Sequence, residues 1–358
     1  MPSANAQCHN AGDLFLPAYY KVSMRIFRYI GCLVVLLQSM LVHAQAQEHD
    51  PLNISALTHV PESVLSEFKQ LHTNVMLQGL RHPGNAPYIL SHPQPTAKLV
   101  VLLHGLSDSP FYLRSIATHL HQQGHTVVVG LLPGHGVDDP LPVLHNNELA
   151  QIWRDYLSQL IRVTRGLGSK LYVGGFSTGG TLATDYMLDH LADVDGLLLF
   201  SGALRLADNA ETLSKIPFAK WVSKIIDGEY VTASKNPYKY PDVSNHAALV
   251  LMDIIRSIRQ RLVDSTGVVI PIFAAHSHAD QVTPITGIYE LLNVTVGQNT
   301  FFAIDDSLNV CHANLPLDAQ QVATIGIDDY NPLSNCDALA ANPVHQHMLS
   351  MAASFVAQ

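Results

Sequence analysis

The sequence predicts an α/β fold in which helices flank a doubly wound, mostly parallel β-sheet. From about residue 95 onwards, apolar runs of strand length alternate with amphipathic stretches of helix length. This alternation is typical of parallel sheets, because each strand connects to the next through a helix. The chain has 358 residues, of which 47% are hydrophobic and 14% charged, so it is long enough to bury a large core.

The beginning of the chain has the features of a secretory leader. Two arginines precede an apolar run over about residues 29–42, and Ala44-Gln45-Ala46 follows as an A-x-A site. Such a run is short for a transmembrane span and typical of a signal peptide. We therefore predict that residues 1–46 are an N-terminal extension and signal peptide, starting at Met1 or Met24, and that the mature protein is exported.

The strands and helices follow in regular order. A short helix that packs outside the main domain, and edge strands, are expected in an arm over residues 47–94. Strands are predicted at 97–105, 125–136, 170–177, 195–202, 268–277 and 299–305, each a β-branched or apolar run. Helices are predicted at 109–124, 146–168, 178–194 and 342–357.

One segment interrupts this alternation. Residues 203–262 are longer than a crossover requires and mix helical stretches with loops rich in proline and tyrosine. We predict that they form a helical cap inserted after the strand that follows the nucleophile helix. The cap would cover the carboxyl edge of the sheet, where ligands bind in open α/β folds. Residues 95–202 and 263–358 would then form the core.

The segment YVGGFSTGGTLA indicates a nucleophilic serine. Gly175-Phe176-Ser177-Thr178-Gly179 is a G-x-S-x-G motif between a predicted strand and a predicted helix. A sharp strand-to-helix turn projects the serine hydroxyl clear of the backbone, and the close approach of neighbouring segments requires glycine on either side. Ser177 is therefore the candidate nucleophile.

A nucleophilic serine also needs donors for the oxyanion that forms during attack. The segment LLHGLSDSP ends a strand at His104-Gly105, and the N–H of Leu106 is expected to face Ser177. The N–H of Thr178, at the start of the next helix, is the second candidate donor.

Three motifs, LLHGLSDSP, LLPGHG and GGFSTGG, resemble those of the α/β-hydrolases. Within that superfamily they are similar to monoacylglycerol lipases, carboxylesterases and lysophospholipase-like serine hydrolases. The resemblance covers about residues 95–312 and the last helix. It implies that Ser177 is the nucleophile and that Leu106 and Thr178 supply the oxyanion donors. His135, in the PGHG turn, is expected to be structural.

The resemblance also implies an order of serine, acid and histidine along the chain. It places the acid after the next-to-last core strand and the base after the last, which selects Asp280 and His312. The less favoured candidates are Asp305, Asp306, His345 and His347. We expect these aspartates in a solvated turn and these histidines on the surface of the final helix.

The segment HSHADQV has a competing interpretation. His276, His278 and Asp280 form the H-x-H-x-D opening of a zinc-hydrolase signature. That signature normally continues with a histidine, whereas Gln281 follows here, and the remaining histidines show no ligand spacing. We therefore favour Asp280 as the acid of a serine enzyme, with no metal and no cofactor.

Two cysteines lie beyond the predicted leader, Cys311 and Cys336. A pair of cysteines in an exported protein favours a disulfide, although two reduced thiols are the alternative. Because Cys311 adjoins His312, a bridge would attach the segment at residues 313–342 beside the base.

The predicted function is that of an exported serine hydrolase that cleaves carboxylic esters, acting on a small-molecule ester or lipid. A net charge of −9 gives no electrostatic signature for binding nucleic acid. One alternative is a serine peptidase similar to prolyl aminopeptidases, which would need a carboxylate for the substrate amine, such as Glu211, Asp227 or Glu229. Another is a non-catalytic binding protein with the same fold.

Overall fold

A seven-stranded sheet forms the centre of the protein. The computed structural model describes residues 59–207, 211–212, 219–227, 235–264, 267–326 and 339–358. The strand order is β1-β3-β2-β4-β5-β6-β7, and every pair is parallel except β1 with β3. The strands are β1 (Tyr88–Leu90), β2 (Thr96–Leu103), β3 (Thr126–Gly130), β4 (Gly168–Phe176), β5 (Gly196–Phe200), β6 (Ile272–Ser277) and β7 (Thr300–Ile304). The predicted mostly parallel α/β sheet is confirmed.

Helices connect these strands. In chain order they are α1 (Glu62–Leu71), α2 (Thr73–Gln78), α3 (Arg114–Gln122), α4 (Leu141–Leu144), α5 (Leu149–Thr164), α6 (Thr178–Asp189), α7 (Ala219–Ile226), α8 (Asn245–Asp264), α9 (Thr286–Val294), α10 (Ala319–Ile325) and α11 (His345–Ala357). Among the described residues, no helix combines the length and the apolar character needed to cross a membrane.

The central strands of the sheet are buried on both faces, and their alternate residues serve different cores. In β2, Leu99, Val101 and Leu103 belong to one apolar cluster, whereas Val100 and Leu102 belong to the other. All five side chains are fully buried. This explains why the central strands read as continuous apolar runs instead of alternating patterns.

The register brings several strand ends to one edge of the sheet. Leu103 is paired with Gly175 and Phe176 with Phe200, so the residues that follow β2, β4 and β5 emerge side by side. Ala275 and Phe200 are paired in turn, which adds the loop after β6. The loops carrying the predicted site residues therefore meet at the carboxyl edge, as expected for an open parallel sheet.

The arm before β2 is more closely integrated than predicted. We expected the helix near residue 65 to pack outside the main domain, but α1 buries Phe68 completely within the larger core cluster. His72 at the end of α1 lies 2.8 Å from the hydroxyl of Tyr156 on α5. A large apolar side chain on the inner face of α1 thus makes the helix part of the core.

The predicted cap range contains α7 and α8. The buried face of α8 includes Ala247, Val250 and Ile254, which pack in the same cluster as the strands. α8 therefore contributes buried side chains to the hydrophobic core, and the cap predicted over residues 203–262 remains a prediction. Its 20 residues form a long amphipathic surface that is buried against neighbouring helices. The other predicted domain boundaries remain predictions, and the leader at 1–46 lies outside the described residues.

Candidate active site

Ser177 occupies the sharp turn between β4 and α6. Its φ of 51° and ψ of −114° are unusual for a residue with a side chain and store local strain. The turn is fixed by its backbone: Ser177 N–H donates to the carbonyl of Phe200, and its carbonyl accepts from Thr181 and Ala203. This is the geometry that projects a serine side chain out of a strand-to-helix turn.

The glycine two residues after Ser177 allows α6 to approach β2. A Cβ on Gly179 would collide with the carbonyl oxygen of Leu103 and would lie 2.9 Å from that of His104. Any larger residue would push the start of α6 away from the end of β2. The glycine of the motif is therefore required by close packing between the two segments that flank the serine.

The three predicted residues of the acid–base–nucleophile set are in hydrogen-bonding contact. His312 Nε2 lies 2.9 Å from Ser177 Oγ, and His312 Nδ1 lies 2.7 Å from Asp280 Oδ2. Because an ionised carboxylate can only accept, Nδ1 carries the proton and donates it to Asp280. Nε2 then presents a lone pair to the serine hydroxyl, which is the arrangement that a general base requires.

Asp280 is buried, with 4% of its surface exposed, yet it is held in its ionised form. Burial acts to raise the pKa of Asp280, but the charge and hydrogen bond of His312, together with His276 and the Thr283 N–H, lower that pKa to about 2. The backbone N–H groups of Val282 and Thr283 donate to Oδ1. The carboxylate thus remains negatively charged and correctly oriented at neutral pH.

A backbone hydrogen bond closes the turn after β2. Asp108 N–H donates to the carbonyl of Gly105, and Ser107 has a φ of 71°. Leu106 occupies the second position of this turn, where its N–H takes no part in the turn hydrogen bond. Thr178 is the first residue of α6, where N–H groups have no partner within the helix. Both predicted oxyanion donors therefore lie on the two segments that pack together through Gly179.

A buried histidine supports this turn. His104 Nδ1 lies 2.8 Å from the carbonyl of Gly105, and its Nε2 accepts from the N–H of Leu132 at 3.1 Å. These two bonds require a neutral ring with the proton on Nδ1. Burial and the neighbouring His135 hold the pKa of His104 well below its usual value. The histidine of the HG motif is thus a structural residue that links β2 to the turn after β3.

Asp108 is a residue of the site that our sequence analysis missed. It is only 6% exposed, and its carboxyl group accepts no hydrogen bond from any described residue. One carboxyl oxygen lies against Gly105, where a Cβ would collide with it. Burial raises the pKa of Asp108 to about 6, against the opposing effects of Lys239 and His312. A charged residue two positions after the predicted oxyanion donor was the signal that could have identified it.

The two histidines of HSHADQV do not come together as a pair of ligands. His276 is fully buried and lies 2.6 Å from the carbonyl of Thr283, whereas His278 lies 3.4 Å from the hydroxyl of Tyr289 in an exposed position. Within the described ranges, no group of three or more His, Cys, Asp or Glu side chains could hold a metal ion. Asp280 itself is engaged by His312.

The less favoured candidates lie elsewhere. Asp305 and Asp306 are exposed in the turn after β7, as expected. His347 is exposed on α11, but the expectation for His345 is wrong: it is 6% exposed and is hydrogen-bonded to Ser115. His345 lies at the first turn of α11, where the helix packs against the N-terminal end of α3, and this contact could not be read from the helical pattern.

Cys311 is disulfide-bonded and buried immediately before His312. Its predicted partner, Cys336, lies outside the described residues.

The carboxylates proposed for binding a substrate amine are engaged within the protein where they are described. Glu211 accepts from Arg259, and Asp227 accepts from His145 and Ser244. Glu229 lies outside the described residues.

The fold and the site define an α/β-hydrolase with a serine nucleophile geometry. A family profile described as serine aminopeptidase, S33, matches residues 94–306. This match covers more than half of the chain, and the chain belongs to that family.

The chain is also similar to individual proteins. The chain is 25% identical over 197 residues to a thermostable monoacylglycerol lipase from Bacillus sp. (strain H-257), a match that covers 52% of this chain and 71% of the relative. It is similar in structure to a metagenome-derived lipolytic enzyme of the LipS and LipT pair, with a TM-score of 0.53, 21% identity and coverage of 68% and 95% of the two chains. The monoacylglycerol lipase of Paleococcus ferrophilus gives a TM-score of 0.52 at 15% identity, covering 75% and 98%.

Proposed function

We propose that this protein is an exported serine hydrolase that cleaves carboxylic esters through an acyl-enzyme on Ser177. The observation that carries the proposal is the continuous hydrogen-bonded series Ser177–His312–Asp280 at the carboxyl edge of the sheet. The relatives with lipase names support an ester as the substrate.

The reaction follows from the positions of these groups. Ser177 Oγ attacks the acyl carbon while its proton moves to His312 Nε2, and Asp280 stabilises the imidazolium that results. The oxyanion accepts hydrogen bonds from the N–H groups of Leu106 and Thr178, each contributing about 3 kcal/mol to lowering the barrier. The ester C–O bond then breaks, and His312 returns the proton to the leaving alcohol. Water, deprotonated by His312, attacks the acyl-enzyme and releases the carboxylic acid and Ser177.

Asp108 favours an ester whose alcohol part carries hydroxyl groups, such as a monoacylglycerol. The carboxyl group of Asp108 accepts no hydrogen bond from a described residue, so it can accept one from a ligand. It lies beside the oxyanion turn and within electrostatic range of His312, which protonates the leaving alcohol. A hydroxyl group of that alcohol would provide the missing donor.

The peptidase alternative has the support of the family description. It needs a carboxylate that holds the free amino group of a substrate. Glu211 and Asp227 already accept hydrogen bonds from protein side chains, which weighs against their serving in this way. Asp108 could hold an amine as well as a hydroxyl group, so the two functions must be compared directly.

Export is also part of the proposal. The disulfide at Cys311 is typical of an oxidising compartment and supports the signal peptide predicted from the sequence. Cleavage after Ala46 would give a mature protein that begins at Gln47. The intact mass of protein recovered from the extracytoplasmic fraction tests this.

The activity is tested with p-nitrophenyl esters from acetate to palmitate and with aminoacyl p-nitroanilides, with and without a chelator. We expect chelator-insensitive hydrolysis of the esters that Ser177→Ala abolishes, at least a thousandfold in kcat. Faster turnover of the anilides would support the peptidase instead. Ester turnover that survives in Ser177→Ala would reject the proposed mechanism.

A further inference from the structure

The carboxylate of Asp280 is surrounded by four hydrogen-bond donors. Oδ1 accepts from the N–H groups of Val282 (3.0 Å) and Thr283 (2.9 Å). Oδ2 accepts from the hydroxyl of Thr283 (2.9 Å) and from His312 Nδ1 (2.7 Å). A carboxylate has about four acceptor positions, so this set is complete and fixes the rotation of the group.

Thr283 supplies two of these four bonds, one from its backbone and one from its side chain. Its hydroxyl binds the same carboxylate oxygen that His312 binds, and Thr283 Oγ1 also lies 3.1 Å from His312 Nδ1. The hydroxyl therefore contacts both members of the acid–base pair. Thr283 is 1% exposed, so its hydroxyl is shielded from solvent.

The direction of the hydroxyl proton follows from its neighbours. The possible acceptors are Asp280 Oδ2 at 2.9 Å and the carbonyl of Ser201 at 3.4 Å. The shorter contact is to an ionised group and is the stronger bond. His312 Nδ1 carries its own proton, so the threonine oxygen presents a lone pair to that N–H. The hydroxyl thus donates to the acid and accepts weakly from the base.

The backbone of Thr283 is itself fixed. Its carbonyl lies 2.6 Å from His276 Nε2, which must donate because a carbonyl can only accept. His276 Nδ1 has no partner among the described residues, and burial lowers the pKa of His276, so the ring is neutral. The first histidine of HSHADQV thereby connects the end of β6 to the loop that carries the acid.

We propose that Thr283 is a positioning residue for the acid–base pair, because its hydroxyl holds Oδ2 of Asp280 facing Nδ1 of His312. This proposal rests on the proposed function of Ser177. The hydroxyl prevents the carboxylate from rotating away from the imidazole when His312 exchanges its proton with Ser177 and the leaving alcohol.

The test compares Thr283→Ser, Thr283→Ala and Thr283→Val with wild type on p-nitrophenyl butyrate. Serine and alanine differ only by the hydroxyl oxygen, and valine preserves the volume of threonine. We expect Thr283→Ser to keep kcat within about threefold, and Thr283→Ala and Thr283→Val to lose about tenfold to a hundredfold in kcat, the range of one hydrogen bond to a charged group. KM is expected to change by less than about twofold, because the hydroxyl does not touch the substrate.

Equal kcat values for the serine and alanine variants would overturn the proposal. If Thr283→Ala does not fold, as judged by its urea unfolding midpoint, the serine and valine variants make the same comparison. A loss that appears only in KM would also contradict a positioning role. The variant Ser177→Ala tests the proposed function separately. If that function is wrong, Ser177→Ala has the same activity as wild type, whatever the Thr283 variants show.

Discussion

Asp108 is the residue at which the proposed alcohol part of the substrate can be tested. Its carboxyl group is buried beside the oxyanion turn without a hydrogen-bond partner among the described residues. A matched pair of esters, monobutyrin and propyl butyrate, share an acyl group and differ only in the hydroxyl groups of the alcohol. We expect Asp108→Asn to lower kcat/KM for monobutyrin about tenfold or more, because the hydrogen bond to a charged group is lost.

Propyl butyrate serves as the internal control for this substitution. Removing the charge of Asp108 also changes the electrostatic environment of His312, and that effect acts on both esters alike. The ratio of the two kcat/KM values therefore isolates the contact with the hydroxyl groups. An unchanged ratio would show that Asp108 does not contact the alcohol part of the ester.

Single residues differ in how far the sequence predicts them. Ser177 follows from a motif with its required strand and helix, and the resemblance to the α/β-hydrolases selects Asp280 and His312 after the last two core strands. The contributions of Asp108, Thr283 and His276 depend on which way their side chains point within loops. Periodicity and motif spacing carry no information on these directions, so the structure was needed to find them.

The junction of β2, β4 and α6 is the element on which the site depends. A Cβ on Gly179 would collide with the carbonyl oxygen at the end of β2, so we expect Gly179→Ala to destabilise the fold by about 1–3 kcal/mol and to lower kcat more than tenfold. Gly166 offers the control, because a Cβ there meets nothing within 4 Å and its φ is not positive. Gly166→Ala should leave kcat within experimental error of wild type and should leave the stability of the fold unchanged or slightly raised.

Urea unfolding and ester turnover measured on the two variants check this prediction. Wild-type activity in Gly179→Ala would mean that the start of α6 can move without disturbing the oxyanion donors. Equal losses in the two variants would point to a general sensitivity to substitution instead of a specific collision.

The strands were predicted well from their apolar runs, whereas the packing of two helices was not. The apolar runs identified six of the seven strands, because short apolar runs rich in β-branched residues and bounded by turn residues favour strands. Helices α1 and α8 were expected outside the core, yet both contribute buried side chains to it. Amphipathic periodicity shows that a helix has an apolar face, but not which surface covers that face.

At the scale of the whole molecule, buried neutral histidines make stability sensitive to acid. Burial lowers the pKa of His72 and of His135 to about 4 and holds the pKa of His104 well below its usual value. An unfolded chain protonates histidine near pH 6.5, so between pH 6.5 and 4 the unfolded state binds more protons than the native state. The free energy of unfolding therefore falls as the pH decreases through this range, by about 1.4 kcal/mol per pH unit for each such histidine.

Urea unfolding midpoints at pH 8, 6 and 5 test this expectation. His72→Gln should reduce the dependence on pH, since His72 lies between the carbonyl of Phe68 and the hydroxyl of Tyr156. His347→Gln, an exposed histidine, is the control and should leave the dependence unchanged. Identical midpoints for wild type at pH 8 and 5 would contradict the prediction. Asp280 affects stability over a lower pH range. Its contribution to the free energy of unfolding is present above about pH 4 and is lost as the pH falls through about 2.

The central claim is that Ser177 is an activated nucleophile, and its most direct test is covalent labelling. A fluorophosphonate should add once to the protein, and peptide mass spectrometry should place the adduct on Ser177. His312→Gln should slow this labelling at least a hundredfold, because the base that accepts the serine proton is removed. An adduct on a different residue, or labelling of Ser177 at an unchanged rate in His312→Gln, would contradict the account.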